Sequence, residues 1–369
     1  MTDPAPASVS SPPPRRHRWG RAAMVLWFGA LLAVPPLLLA AGLRPVSIEQ
    51  RLPAEAPGWS IGRLLDTDWY QEIAAWFTDR LPLRDRAIEA HALADLTLFA
   101  ESPSPRVLVG SDGWLFLRDD FATPCYPARD IRAAVRELSV LDRALRLAGK
   151  RLLFIVAPDK SGVYPGLLGG LAARAGCALA NRGEFRSLLS GAGLPGYLDA
   201  WAVLAAQAAG PRPVYHRLDT HWNDWGAGAV AGAAVERLAP GLWDPGYLVL
   251  AGVESRVGAL ARLMGLSLRE DAESWQGRRH EEPSLRSEPV SRGIELVTST
   301  MEGSPTIGLS GLLIHDSMGN ALAPHLRPYF ARLTTVRSVA MGGSFGTDQP
   351  WFPEVLRQAG VLMVVKVER

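Results

Sequence analysis

Gly311-Leu312-Leu313-Ile314-His315-Asp316-Ser317-Met318-Gly319-Asn320 is the stretch on which the reading of this chain turns. An uninterrupted apolar run of this length reads as a strand buried on both faces, which is the habit of parallel sheets. The run stops at His315-Asp316, a serine stands at the tip, and a helix is expected to follow. In open α/β sheets, polar sites collect outside the carboxyl ends of the strands. The start of a helix there would aim N–H groups and its positive end at a developing oxyanion. Taken alone, Asp-Ser after a strand reads as a helix cap. It is also not the Gly-x-Ser-x-Gly elbow, which disfavours an α/β-hydrolase proper.

Outward from this point the same rhythm recurs. Leu152 to Val156, Tyr197-Leu198 and Val361 to Val367 read as further buried strands. Ile131, Val135, Leu138 and Leu145 share one face of a helix ending at Gly149, and Phe352–Ala359 reads as another. Helices alternating with apolar strands predict a central, mostly parallel sheet flanked by helices. Apolar runs on either side of Gly110-Ser111-Asp112-Gly113 predict a hairpin. Trp69 to Leu98 predicts two helices. Residues from about 240 to 308 carry a charged block and alternating segments around Val290 and Ile294-Glu295-Leu296. That stretch reads as an insertion, partly helical and partly antiparallel, on the edge of a domain spanning 69–369.

The N-terminus has a different character. Residues 1–21 read as a disordered tail ending in arginines, and 22–43 form an uncharged run. Such a run just crosses a hydrocarbon core of about 30 Å, and the arginines before it hold that end in the cytoplasm. It is therefore a transmembrane anchor or, alternatively, a signal peptide cut near Ala40-Ala41; in either case the body of the chain is exported. Residues 44–68 read as a linker. Cys125 and Cys177 are the two cysteines, and export favours a structural disulfide between them. A net charge of +2, with no basic stripe, argues against nucleic acid. No phosphate-binding glycine loop or metal constellation is present, so no cofactor is expected.

Asp219-Thr220-His221-Trp222-Asn223 is the most specific local motif. A turn lets the carboxylate accept the imidazole Nδ1–H and leaves Nε2 as a base. The same pair would also serve as the start of a metal-ligand set or as a helix-entry turn. With a strand-end Asp-Ser in an exported α/β domain, all three parts of a serine triad are present: Ser317, His221 and Asp219. Trp222 is a candidate for lining a cleft, Asn320 for an oxyanion donor, and Lys160 for an active-site cation or a structural lysine.

Five blocks in the same order resemble the alginate O-acetyltransferases of the AlgJ and AlgX type, an SGNH-hydrolase-like group. They are Phe77-Thr78-Asp79-Arg80-Leu81-Pro82-Leu83-Arg84, Val109–Phe116 with its Gly-x-Asp-Gly-Trp-Leu-Phe pattern, Ala157-Pro158-Asp159-Lys160, the Asp-Thr-His-Trp-Asn block and Val365–Arg369. The resemblance covers 69–369 and is weakest over 240–308. It implies Ser317 as nucleophile, His221 as base and Asp219 as orienting acid. It also implies an exopolysaccharide acceptor, a membrane-bound O-acyltransferase as acetyl donor, and a periplasmic domain tethered to the inner membrane. Where the family reads Arg-Asp-Ser-Phe, this chain has His315-Asp316-Ser317-Met318. An O-acetyl esterase with the same triad, or a non-catalytic polysaccharide-binding scaffold, remain alternatives at this stage.

Overall fold

The computed structural model describes residues 16–43, 53–99, 101–122, 128–277, 282–291, 294–338 and 348–368. Cys125, half of the expected disulfide, lies outside the described residues; Cys177 sits in the helix Ala172–Gly191. The chain divides into two compact units, Met1–Ala94 and Asp95–Arg369.

In the first unit, the helix Arg16–Ala40 contains a span, Gly20–Ala40, that is long and apolar enough to cross a membrane. Pro35 and Pro36 lie inside it. Residues 53–66 run back along the helix Thr67–Thr78. The Trp69 indole donates to the Gly58 carbonyl at 3.0 Å, and Asp79 accepts the Ala54 N–H at 2.8 Å.

Among the described residues the second unit holds eleven strands: β1 Val107–Val109, β2 Leu115–Leu117, β3 Arg151–Ala157, β4 Tyr197–Leu198, β5 Leu248–Val257, β6 Arg269–Gly277, β7 Ser284–Ser291, β8 Ile294–Thr300, β9 Gly311–His315, β10 Arg332–Arg337 and β11 Val361–Val367. Seven of them form one sheet in the order β4-β3-β11-β9-β10-β8-β7. The first five are mutually parallel, and β8 and β7 add on as antiparallel strands. This is the helix-flanked α/β sheet expected from the apolar runs. Residues 240–308 supply the antiparallel extension together with a separate two-stranded ribbon, β5–β6. The hairpin β1–β2 closes through Asp112 and Gly113, whose φ values of 54° and 72° are the left-handed geometry that a tight hairpin requires.

The central strands are buried because each face packs against helices. Leu153, Ile155, Leu313, Leu333, Met363 and Val365 meet the helices Ala200–Ala208, Asp224–Leu238 and Gly319–Leu326 on one side. Leu152, Leu312, Ile314, Leu362 and Val364 meet Leu145 and Phe352 on the other. Alternate residues of one strand thus serve two cores, as a period of two dictates. Gly319, at the start of its helix, is required by this packing. A Cβ there would stand 2.2 Å from the His315 ring, so the absence of a side chain lets the helix close directly onto the end of β9.

Candidate active site

The segment 214–223 leaves and rejoins the domain as a closed loop. Tyr215 bridges to Trp222, the His216 N–H donates to the His221 carbonyl at 3.2 Å, and the Asn223 N–H donates to the Val214 carbonyl at 3.0 Å. Asn223 caps the helix Asp224–Leu238 by accepting the Gly226 N–H at 2.9 Å. At the loop's tip the Asp219 carboxylate folds back onto its own strand of chain. Oδ1 accepts the His221 N–H at 3.3 Å and pairs with His221 Nδ1 at 2.8 Å.

Oδ2 of Asp219 accepts from Arg256 of β5 at 2.7 Å and from the Ala259 N–H at 3.3 Å. Burial alone would raise this carboxyl. The hydrogen bond from His221 and the charges around it outweigh burial and hold it well below the usual range. An ionised Asp219 can only accept, so Nδ1 of His221 is the donor and Nε2 carries the free lone pair. Nε2 is itself buried and has no hydrogen-bond partner among the described residues.

Arg256 was not foreseen from sequence, because nothing in its own neighbourhood marks it. It lies on β5, 37 residues from Asp219, and also donates to His216 Nε2 at 2.6 Å. Burial and the adjacent Arg256 push the His216 imidazole down to about 3, so it is a neutral acceptor. Glu270 of β6 braces the same loop, accepting the N–H groups of Arg217 and Leu218 at 2.7 and 3.1 Å.

Lys160 holds the loop from inside. It is fully buried, and its Nζ donates to the carbonyls of His216, Arg217 and Asp219 at 3.1, 3.1 and 2.6 Å. The rings of Trp114 and Phe116 lie 5.4 and 5.2 Å away. With its amine held by three carbonyls and no exposed surface, Lys160 is placed as a structural lysine and not as an active-site cation. Burial pushes the Lys160 amine down from 10.5 to about 7 despite nearby Asp120, Asp219 and Glu270. The folded value lies below the unfolded one, so between about pH 7 and 10.5 the unfolded chain holds the extra proton. Stability attributable to this residue therefore rises with pH across that window, by up to about 1.4 kcal/mol per pH unit. Denaturant titrations of wild type and Lys160→Met from pH 7 to 10 check this. Wild type gains on the variant as pH rises, whereas a constant difference would mean the amine stays charged in the fold.

Trp222 is corrected likewise. It is 1% exposed and belongs to the core, so it cannot line a cleft. Its indole N–H instead donates to the Met318 carbonyl at 2.9 Å, across 96 residues of sequence. This bond fastens the residue after His221 to the residue after Ser317. No hydrogen bond joins His221 Nε2 to Ser317.

Asp316 shapes the turn on which Ser317 sits. Its carboxylate accepts the Met318 N–H at 2.9 Å and the Val367 N–H at 2.7 Å, tying the tip of β9 to β11. Gly319 N–H bonds the Asp316 carbonyl, and Asn320 N–H bonds the Ser317 carbonyl at 3.3 Å. These N–H groups are consumed by the turn, which corrects the expectation that they face an oxyanion. Asn320 is exposed.

The fold and this cluster define the chain as an SGNH-hydrolase-like α/β domain, with its polar groups at the carboxyl ends of a mostly parallel sheet. Residues 107–291, half of the chain, match the model of the family described as SGNH hydrolase-like domain, acetyltransferase AlgX, and the chain belongs to that family. The probable alginate O-acetylase AlgJ of Pseudomonas aeruginosa is 31% identical over 182 residues, 47% of this chain and 44% of that protein. The AlgJ of Pseudomonas syringae is 26% identical over 52% of this chain and 49% of its own length. The chain thus spans about half the length of these relatives. The structure of Bacillus cereus PatB1 superimposes with a TM-score of 0.52 at 11% identity, covering 71% of this chain and 95% of that one, which is a likeness of fold.

Proposed function

We propose that this protein is an O-acetyltransferase that carries an acetyl group on Ser317 and delivers it to hydroxyls of an exported polysaccharide. The observation that carries the reading is the Asp219–His221 pair at 2.8 Å, with Nε2 unpartnered, fastened to the Ser317 turn through Trp222 and Met318. Membership of an acetyltransferase family and similarity to proteins named alginate O-acetylase support it.

In the proposed cycle His221 Nε2 takes the proton of Ser317 Oγ as the oxygen attacks the acetyl carbonyl. The side-chain amide of Asn320 and the Ser317 N–H stabilise the oxyanion. His221 then protonates the departing oxygen of the donor. In the second half an acceptor hydroxyl gives its proton to Nε2 and attacks the acyl carbonyl, and Ser317 leaves with that proton. Asp219 keeps Nδ1 protonated and stabilises the imidazolium. Acetyl-CoA is absent outside the cytoplasm, so the donor is a membrane-bound O-acyltransferase that passes acetyl groups across the membrane. Gly20–Ala40 anchors the domain beside it on the periplasmic face. A Cys125–Cys177 disulfide suits that oxidising compartment.

Full-length protein in detergent, given a chromogenic acetyl ester and candidate oligosaccharides, is expected to produce acetylated sugar detectable by mass spectrometry. Acetate release that is equally fast with and without any acceptor would identify an esterase and overturn the transferase reading.

A further inference from the structure

The loop that carries Asp219 and His221 is gripped twice. Lys160 holds it from the interior, and the ribbon β5–β6 holds it through a single rung, the register pair Arg256 and Glu270. Glu270 takes the backbone N–H groups of Arg217 and Leu218, while Arg256 takes the side chains of Asp219 and His216. Just past this rung the chain closes onto the loop. A Cβ on Gly258 would stand 2.1 Å from the Leu218 carbonyl oxygen, so only glycine permits the approach. The Ala259 N–H then reaches Asp219 Oδ2 at 3.3 Å, and the Leu260 N–H reaches the Leu218 carbonyl at 3.1 Å. Rung and turn together bring two donors to the same carboxylate oxygen.

The guanidinium acts as a fork. Nη2 donates to Asp219 Oδ2 at 2.7 Å and Nη1 to His216 Nε2 at 2.6 Å. The second arm fixes the rotation of the first, because a neutral imidazole accepts at only one nitrogen. With the fork pinned at both ends, Oδ2 is committed to Arg256 and Ala259, and Oδ1 is the oxygen kept for Nδ1 of His221. Lys160 bonds the Asp219 backbone carbonyl and Glu270 bonds backbone N–H groups, so neither of them orients the carboxylate itself. The Asp219 side chain is 2% exposed, which leaves water little room to replace a missing donor. We propose that Arg256 is a positioning residue for the transfer reaction, turning Asp219 so that one oxygen is reserved for His221. The strand that supplies it, β5, lies outside the seven-stranded sheet and thereby becomes part of the catalytic machinery. The proposal rests on the triad reading given above.

Full-length wild type, Arg256→Ala and Arg256→Lys are to be compared in detergent by hydrolysis of a chromogenic acetyl ester, with an unfolding curve for each. Arg256→Ala is expected to lose about 100-fold in kcat with KM little changed, as when an aligned group is lost from the transition state alone. The Arg256 side chain is 39% exposed, so free guanidinium can enter the gap. At about 50 mM, far below denaturing concentrations, it should recover roughly tenfold in Arg256→Ala and leave wild type unchanged. Arg256→Lys keeps the charge but loses the fork, and should fall by about tenfold, again in kcat. The downfield Nδ1–H proton of His221, assigned by its absence in His221→Ala, should shift in both Arg256 variants. A folded Arg256→Ala within about threefold of wild type in kcat overturns the positioning role. So does a loss that guanidinium leaves unrelieved while the Nδ1–H proton stays unmoved. If Arg256→Ala does not fold, Arg256→Lys decides: a kcat and a proton resonance equal to those of wild type sink the proposal. A wild type that forms no acyl-enzyme would instead sink the triad reading, and the Nδ1–H proton alone would then tell whether Arg256 orients Asp219.

Discussion

Ser317→Ala is expected to abolish acyl-enzyme formation and to lower acetyl-ester hydrolysis by three orders of magnitude or more. The proposed chemistry passes through a covalent bond to Oγ, and no neighbouring hydroxyl occupies the strand tip in its place: Asp316 and Met318 flank it. In serine-triad proteases, removal of the nucleophile costs as much as removal of the whole catalytic unit. The fold should not suffer. Ser317 is half-buried, its backbone carbonyl accepts the Asn320 N–H, and the turn is held by Asp316. Intact-protein mass spectrometry after incubation with an acetyl ester gives the readout, beside an unfolding curve matching that of wild type. Continued acylation of the alanine variant would locate the nucleophile elsewhere.

Asp219→Asn is expected to cost activity on the order of 10⁴-fold, as in a triad whose imidazole is left in the wrong tautomer. Asp219 here accepts from three elements at once: Nδ1 of His221, the Arg256 guanidinium and the Ala259 N–H. An asparagine has one acceptor oxygen and two N–H donors, so it cannot meet His221 and Arg256 together. Whichever side the amide nitrogen faces, a donor meets a donor. If it faces His221, the proton moves to Nε2 and the base is lost. The first half-reaction with a chromogenic ester reads the effect directly, and binding of oligosaccharide should change little. An Asp219→Asn enzyme within tenfold of wild type would show that His221 does not depend on this carboxylate.

The parallel core was legible because strands buried on two faces leave continuous apolar runs, as in Leu152–Val156, Leu312–Ile314 and Val361–Val367. The alternation of β8 was legible too: Ile294 and Leu296 are buried while Glu295 between them is exposed. Strand β10 was not. Thr334 and Thr335 interrupt its apolar pattern, yet both are buried. Their hydroxyls are satisfied across the sheet, Thr335 by the Val297 carbonyl at 3.1 Å and Thr334 by Thr298 at 3.1 Å. A strand whose polar groups find partners only in its neighbours cannot be recognised from its own residues.

What the sequence determined by itself was therefore local: the apolar runs that must pair, the Asp-x-His turn that closes on itself, and a serine at the end of a strand. Tertiary structure decided the rest. Lys160 and Trp222 have residue types that fit a cleft as well as a core, and only the packing around them turned one into a strut and the other into a fastener. Arg256 reaches Asp219 from 37 residues away, and Trp222 reaches Met318 from 96. The physical reason is range. Periodicity and turn chemistry act over a few residues, whereas burial, ion pairing and the surroundings of a titrating group depend on which distant segments the sheet brings together.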